Sequence, residues 1–351
     1  MGEFDEAFEK ILSDALAKSG LAPEDFEANL HPIIRNATSS LASGMAKGLK
    51  RNGPKLLREQ RKENAAFEKR NLGRWRKAFN LVEIIWNVSA EMSEKFNTEF
   101  REAAAADKDY KFEALVHVNA RALLVASEAI YLVKGGFPDG ALSRWRTLHE
   151  LTVISTFLSK NDAEVAHRYL ASFDFEALKA AGQINTYAER ANLDPFDDKE
   201  VKEMEERCAA WTANLGPNLE KTYGWASVPL ENRSPNLLHL EKATGLDHWR
   251  PRFKWASRHT HGGHRPIGTL LADRESREDI YLIGRSNSGM VDPLQMIAMT
   301  LTILTSSLLL SRPSLDHNAA VETLMLLSDE VGPVALRAEA ESLARYERDS
   351  G

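Results

Sequence analysis

The stretch from Pro138 to Lys160, PDGALSRWRTLHELTVISTFLSK, opens on a Pro-Asp-Gly restart and then sets Leu142, Trp145, Leu148, Leu151, Val153, Ile154 and Phe157 at helical spacing. A helix with apolar residues around so much of its circumference belongs inside a core, and the layers around it should be helices too. Arg146 and Glu150 lie four residues apart and share one of its faces. Burying such a pair costs several kcal/mol of desolvation unless its other hydrogen-bonding groups are met. Partners from elsewhere in the chain must therefore reach it, either as a structural clamp or as part of a catalytic pair.

The periodicity spreads outward from this helix. Towards the N-terminus, Phe4, Phe8, Ile11, Leu12, Ala15 and Leu16 form one apolar stripe that stops at Gly20, and a second stretch carries Ile34, Ala37, Leu41, Met45 and Leu49 to a stop signal at Asn52-Gly53-Pro54. From Pro54 to about Ala106 the pattern predicts one long helix, or two joined near Gly73, with the Trp75 end entering a core and the Lys55 end projecting outward. Further helices are expected over Lys111–Lys134, from an Asp162 cap to Arg190, over Asp198–Ala213 and over Arg252–Gly262. The last ones run from Asp292 to Ser311, Leu315 to Asp329 and Pro333 to Arg348. Between Gly216 and Pro251 repeated Pro and Gly predict a long irregular connection with short helical turns, and Asp279–Ile283 is the one plausible strand.

The expected fold class is all-α, a multi-helix bundle with more than about 60 % helix. It has a long N-terminal helical arm (1–106, with a basic stretch at 47–77), a helical core domain (107–312) with the irregular connection ahead of a His-rich segment, and a C-terminal tail (313–351) of two helices.

Composition narrows the function classes. The 351 residues are 43 % hydrophobic and 27 % charged, ordinary globular values. Cys208 is the single cysteine, which rules out an intrachain disulfide, a thiolate metal cluster and a C-x-x-C redox pair, and a reducing cytoplasm is expected. The acidic start Met1-Gly2-Glu3-Phe4-Asp5-Glu6 lacks the pattern of a secretion signal. The apolar run Leu294–Leu310 carries Gln295 and several Thr and Ser residues and is short for a bilayer, so a buried central helix and no membrane partner are expected. Net charge is −6, yet residues 47–77 carry twelve basic and three acidic side chains. Such a local positive field attracts phosphate. Arg58, Arg61, Lys62, Lys69, Arg70, Arg74 and Lys77 are the candidates for RNA contact, against the plainer reading of a solvated helix face, and the N-terminal helices are also candidates for a homo-oligomer (dimer) or partner-protein contact.

The second constellation is Trp255-Ala256-Ser257-Arg258-His259-Thr260-His261-Gly262-Gly263-His264-Arg265, where three of ten histidines fall within six residues. His259, His261 and His264 resemble the H-x-H-x-D-H zinc motif of metallo-β-lactamase-fold hydrolases, but Gly263 stands where the aspartate ligand belongs and the strands of that fold are missing. A metal-dependent hydrolase using these three histidines stays a third possibility, although no resident metal or cofactor is expected. Ser257 and His261 stand one helical turn apart without a nucleophile elbow.

Arg258-His259 followed by His264 resembles the Arg-polar-x(4–6)-His motif of the HEPN ribonucleases. That resemblance implies metal-independent RNA cleavage, with a histidine moving protons and an arginine offsetting the developing phosphorane charge, in a prokaryotic stress or phage-defence effector. A broader pattern, Ala141-Leu142-x-x-x-Arg146-Thr147-Leu148-x-Glu150, then Arg168-Tyr169, then an aromatic ahead of Ser257-x-x-Thr260-His261-Gly262, is similar to the bacterial domain-of-unknown-function family 5677 over about Leu115–Leu310. This second resemblance implies a helical fold, singles out Arg146, Glu150, Ser257 and His261, and carries no reaction with it.

Together these readings give Arg146, Glu150, Arg258, His261 and His264 as candidate catalytic residues of a metal-independent endoribonuclease, with Ser257 and His259 in support. The alternative is a non-catalytic helical interaction or scaffold protein with a buried Arg/Glu/His network. Either way, Arg146 and Glu150 are expected near Ser257 and His261.

Overall fold

The computed structural model describes Glu9, Ser13, Ala17 and residues 23–260, 270–275 and 282–350. It is 82 % helical, with no strand among the described residues. Asp279, Ile280 and Tyr281 of the expected strand lie outside the described residues, and Leu282 and Ile283 are irregular. Among the described residues ten α-helices follow one another: α1 Pro23–Arg74, α2 Arg76–Asp107, α3 Tyr110–Lys134, α4 Pro138–Lys160, α5 Ala163–Ala191, α6 Asp198–Leu215, α7 Leu237–Thr244, α8 Arg250–Ser257, α9 Val291–Leu309 and α10 Leu315–Ser350.

Two compact units divide the chain, Met1–Lys69 and Arg70–Gly351. In the second unit Trp75, Phe79, Val82, Ile85 and Phe96 are fully or almost fully buried, and Val321, Leu324, Val331 and Ala335 of α10 join the same core. Within the first unit, α1 continues through the expected stop at Asn52-Gly53-Pro54, and α10 likewise passes Pro333 as one helix instead of two. Proline removes one backbone donor and crowds the carbonyl four residues back. Strong helix formers follow Pro54, and buried Val331 and Ala335 flank Pro333, so in both places the helix resumes.

In the second unit α4 is the centre. It packs on α3 and α9 along most of its length and on α7 and α8 at the remaining face. The Trp145 indole donates to Thr300 Oγ1 at 2.7 Å and to the Met296 carbonyl at 3.1 Å, tying α4 to α9. Helices α3 and α9 are long and apolar enough to cross a membrane by length and composition, and 67 % of the most apolar stretch of α9 is buried inside the chain, as in a core helix.

The connection from Gly216 to Trp249 is irregular as expected, with α7 and short turns at Gly224–Ala226 and Asp247–Trp249. A buried arginine holds its first half in place. Arg168 of α5 is 1 % exposed and spreads its guanidinium over backbone: Nε donates to Trp225 O at 3.1 Å, Nη2 to Pro217 O at 3.2 Å, Gly224 O at 3.1 Å and Ser227 Oγ at 3.1 Å, and Nη1 to Leu215 O. Burial lowers its pKa, and Glu164 opposes the shift. Gly224 is required in the same turn, since a Cβ there would sit 1.6 Å from the Asn218 carbonyl oxygen.

Arg168→Met leaves four carbonyls and a hydroxyl without their donor, and Gly224→Ala forces the turn apart. Each is expected to lower the unfolding free energy by about 3 kcal/mol or more, read from urea denaturation. A loss under about 1 kcal/mol for both would mean that the connection is not anchored there.

Candidate functional site

Three polar residues of α4 share a face. With 3.6 residues per turn, positions 139, 146 and 150 fall within about 40° of one another. Each is met by a different distant group, in an order that runs α8 and the residues after it antiparallel to α4. Asp139, in the first turn, accepts from His259 Nδ1 at 3.0 Å and from the amides of Leu271 and Ala272 at 3.0 Å each. Arg146 donates from Nε to Ser257 Oγ at 3.0 Å, and its guanidinium lies 4.8 Å from the ring centre of Phe253. Glu150 accepts from the phenol of Tyr223, which the Arg168-anchored turn delivers. Ser257 passes its own proton to Phe253 O at 2.8 Å, so its lone pairs face Arg146.

Beside this ridge a second polar set is sealed. His149 Nε2 lies 3.1 Å from Glu241 Oε1, Arg250 Nη1 donates to Glu241 Oε2 at 2.8 Å, and the His149 and Glu241 side chains are 2 % and 0 % exposed. Trp145 and Phe253 rings cover the imidazole. This network locks α7 and α8 onto α4.

The electrostatics follow from burial and neighbours. Burial pushes the Tyr223 phenol far above its ordinary pKa; the Glu150 charge and hydrogen bond add to the shift, and Arg146 opposes it. Tyr169 is pushed up to about 12, chiefly by burial, with Arg121 lowering it and Glu150 raising it. Both phenols therefore stay protonated and act as donors or dipoles. Burial also favours the neutral form of Asp139, but the His259 hydrogen bond, the Ala272 and Leu271 amides and the His259 charge outweigh it, and the carboxyl sits below its usual value.

Of the residues singled out from sequence, Arg146 and Ser257 come together as expected. Glu150 is one turn further along and pairs with Tyr223 instead of with Arg146. His259 joins Asp139 at the other end of the ridge, and Arg258 is exposed just past α8, which ends at Ser257 and not at Gly262. His261 and His264 lie outside the described residues. In the basic stretch Arg58, Arg61, Lys62, Lys69, Arg70 and Lys77 are exposed. Arg74 stands apart: it pairs with Glu275 at 2.5 Å and stacks over Trp75 at 4.8 Å, so it serves the fold. Among the described residues no three His, Cys, Asp or Glu side chains gather as metal ligands.

Sequence reasoning missed Asp139, whose seven-residue spacing to Arg146 was a usable signal, and it missed Tyr223, Glu241 and Arg250 in the irregular connection and its margin, where no periodicity points to a partner.

The segment that builds this ridge and its partners, residues 112–279, matches the model of a family of unknown function, DUF5677. The match covers 168 of the 351 residues. No curated protein and no solved structure matches the chain. The DUF5677 segment runs from the start of α3 past α8, so it includes Asp139, Arg146, Glu150, Tyr223, Ser257 and His259 and leaves out α9, the helix against which α4 packs.

Asp139→Asn tests the first contact of the ridge. Because the folded carboxyl has a lowered pKa, its stabilisation is complete above the ordinary carboxylate value near about 4 and is lost as pH falls through the folded value. The variant is expected to melt below the wild type at about pH 7, and the difference is expected to shrink as pH falls below about 4. A melting difference that is constant with pH contradicts the ionised Asp139–His259 contact.

Proposed function

We propose that the chain binds the phosphodiester backbone of RNA at Arg146 and cleaves it without a metal ion. The observation that carries this reading is the state of Arg146, which is half-buried on a core helix and meets only a hydroxyl and an aromatic face, with no carboxylate partner among the described residues. Its Nε is used by Ser257, and the two amino groups form the fork that fits a phosphate. Arg252, Lys254 and Arg258, exposed on and just after α8, extend the positive field. The exposed cations of α1 supply a further sequence-independent attraction for the same polyanion.

RNA cleavage of this kind needs a base for the 2′-hydroxyl, an acid for the departing 5′-oxygen and a cation for the phosphorane. Arg146 and Arg258 serve as the cations. Asp139 accepts from Nδ1 of His259 and so orients that ring. His261 and His264, next in sequence, complete the acid–base set in the manner the HEPN resemblance implies, and a cytoplasmic stress or phage-defence role rests on the same resemblance. Glu150, engaged by Tyr223, lies one turn from Arg146 and positions the arginine.

A second reading has its own support. The sealed His149–Glu241–Arg250 network is a device for fixing helix packing, and Arg146–Ser257 extends it in a non-catalytic helical interaction protein.

Single-stranded RNA or transfer RNA incubated with the protein and a chelator separates the two. Cutting is expected, with Arg146→Ala lowering the rate about a hundredfold and weakening RNA binding at unchanged melting temperature, while His261→Ala or His264→Ala slows cutting by about a hundredfold or more. RNA left intact with and without divalent metal, together with a lowered melting temperature for Arg146→Ala, establishes the packing role instead.

A further inference from the structure

At the other end of α4 from the ridge, the C-terminal halves of α4 and α9 and the side of α10 line a cavity of about 410 Å³. The rise along α4 sets Ser159, on its wall, about 20 Å from Arg146, so the cavity is no part of the ridge. Small-molecule pockets have volumes of this order and combine a mostly apolar wall with a few placed polar groups. Here Ile303, Leu310, Val321 and Met325 supply the apolar part, and Leu310 and Met325 are 45 % and 48 % exposed, so the cavity opens to solvent on their side.

The hydroxyls on the wall share one polarity. Ser159 donates to Thr156 O at 2.9 Å, Ser306 to Thr302 O at 2.8 Å, Ser307 to Ile303 O at 3.0 Å and Ser311 to Leu308 O at 2.6 Å. Each hydrogen is spent on a carbonyl three or four residues back, and the oxygens keep lone pairs that accept from a visitor. Thr302 adds an open demand: it is 4 % exposed, and its Oγ1 has no hydrogen-bond partner. Buried polar atoms are nearly always satisfied, and none of the described residues satisfies this one. Lys160 is the one charged residue on the wall. Its ammonium gives a hydrogen to Thr244 O at 3.0 Å and meets no carboxylate among the described residues, which leaves two of its three donors.

We propose that this cavity binds a small carboxylic acid whose apolar body carries a hydroxyl or N–H donor. The carboxylate pairs with Lys160, the donor meets the serine oxygens, and the body lies against Ile303, Val321 and Met325. A polar group so placed also offers the Thr302 hydroxyl the partner it lacks. Charge and donor count decide against other ligands. A cation meets the Lys160 ammonium with no acid on the wall to balance it. A phosphate brings more negative charge and a set of acceptor oxygens to hydroxyls that have already given up their hydrogens. A plain hydrocarbon strips water from the serine lone pairs and replaces it with nothing. The inference stands independently of RNA cleavage.

The test is isothermal titration calorimetry of the full chain with para-hydroxyphenylacetate, indoleacetate and beta-hydroxyoctanoate, probes of different shape that each combine a carboxylate, an apolar body and a donor. At least one is expected to bind at a single site. Its amide counterpart is expected to bind about tenfold more weakly, and Lys160→Gln is expected to weaken the acid by about the same factor while leaving the amide unchanged. Ser306→Leu, which fills the cavity, is expected to abolish binding, and near-ultraviolet circular dichroism of the core tryptophans checks that each variant keeps its fold. Arg146→Ala is expected to bind the acid as the wild type does. The proposal is overturned if none of the acids binds at millimolar concentration, if Lys160→Gln leaves the affinity for the acid unchanged, if a folded Ser306→Leu still binds, or if binding is lost in Arg146→Ala, which puts the carboxylate on the ridge instead.

Discussion

Helix α4 is enclosed by α3, α7, α8 and α9, and the rest of the second unit answers to that enclosure. Charged groups on the covered faces of such a helix are largely cut off from water, so their partners must be brought from elsewhere. Asp139, Arg146, His149 and Glu150 set four such demands. His259, Ser257, Glu241 and Tyr223 meet them, from segments between 73 and 120 residues away along the chain. The path of the chain from 216 to 260 is in this sense dictated by the polar ridge of one helix, with the apolar contacts of Trp249, Phe253 and Ala256 filling the spaces between.

Arg168 shows how a charge can be buried with no carboxylate hydrogen-bonded to it. Its partners are carbonyls and a hydroxyl, a set whose summed dipoles replace hydration when the geometry fits the guanidinium fork. A carboxylate in that place would have neutralised the charge but fixed only one point of the chain. Carbonyls at 215, 217, 224 and 225 fix a turn, and the turn fixes Tyr223 against Glu150. Loss of the clamp therefore reaches the ridge through Tyr223, with no direct contact between Arg168 and Glu150 being needed.

Much of the fold was legible because helix periodicity is a local signal. Asp162 caps α5 as expected, and the break between α1 and α2 falls at Trp75, beside the expected Gly73. The errors sit where a local signal competes with its surroundings. Pro54 and Pro333 read as stops, yet the chain on both sides of each favours continuing. The site was legible in halves. Spacing identified Arg146 with Glu150, and an unusual local composition identified Ser257 with its neighbours, so their approach could be anticipated from the need to satisfy buried polar groups. Tyr223 and Glu241 could not, because a residue in an irregular connection gains its partner from the connection's path, and here that path depends on Arg168 and on a glycine without room for a methyl group.

The separation of Arg146 from Glu150 bears most directly on chemistry. On an isolated helix an i,i+4 pair of opposite charges closes on itself, and a guanidinium so paired has little to offer a ligand. Here the Tyr223 phenol takes the carboxylate, and burial together with the Glu150 charge keeps that phenol protonated. Ser257, whose own proton goes to Phe253 O, can only accept from Arg146 and cannot neutralise it. The phenol and the hydroxyl therefore act together: one withdraws the acid, the other orients the base without cancelling its charge. An anion-binding site requires a guanidinium held away from the carboxylate one turn along, and that separation is what supports the proposed reading of the ridge as a place where a phosphate is received.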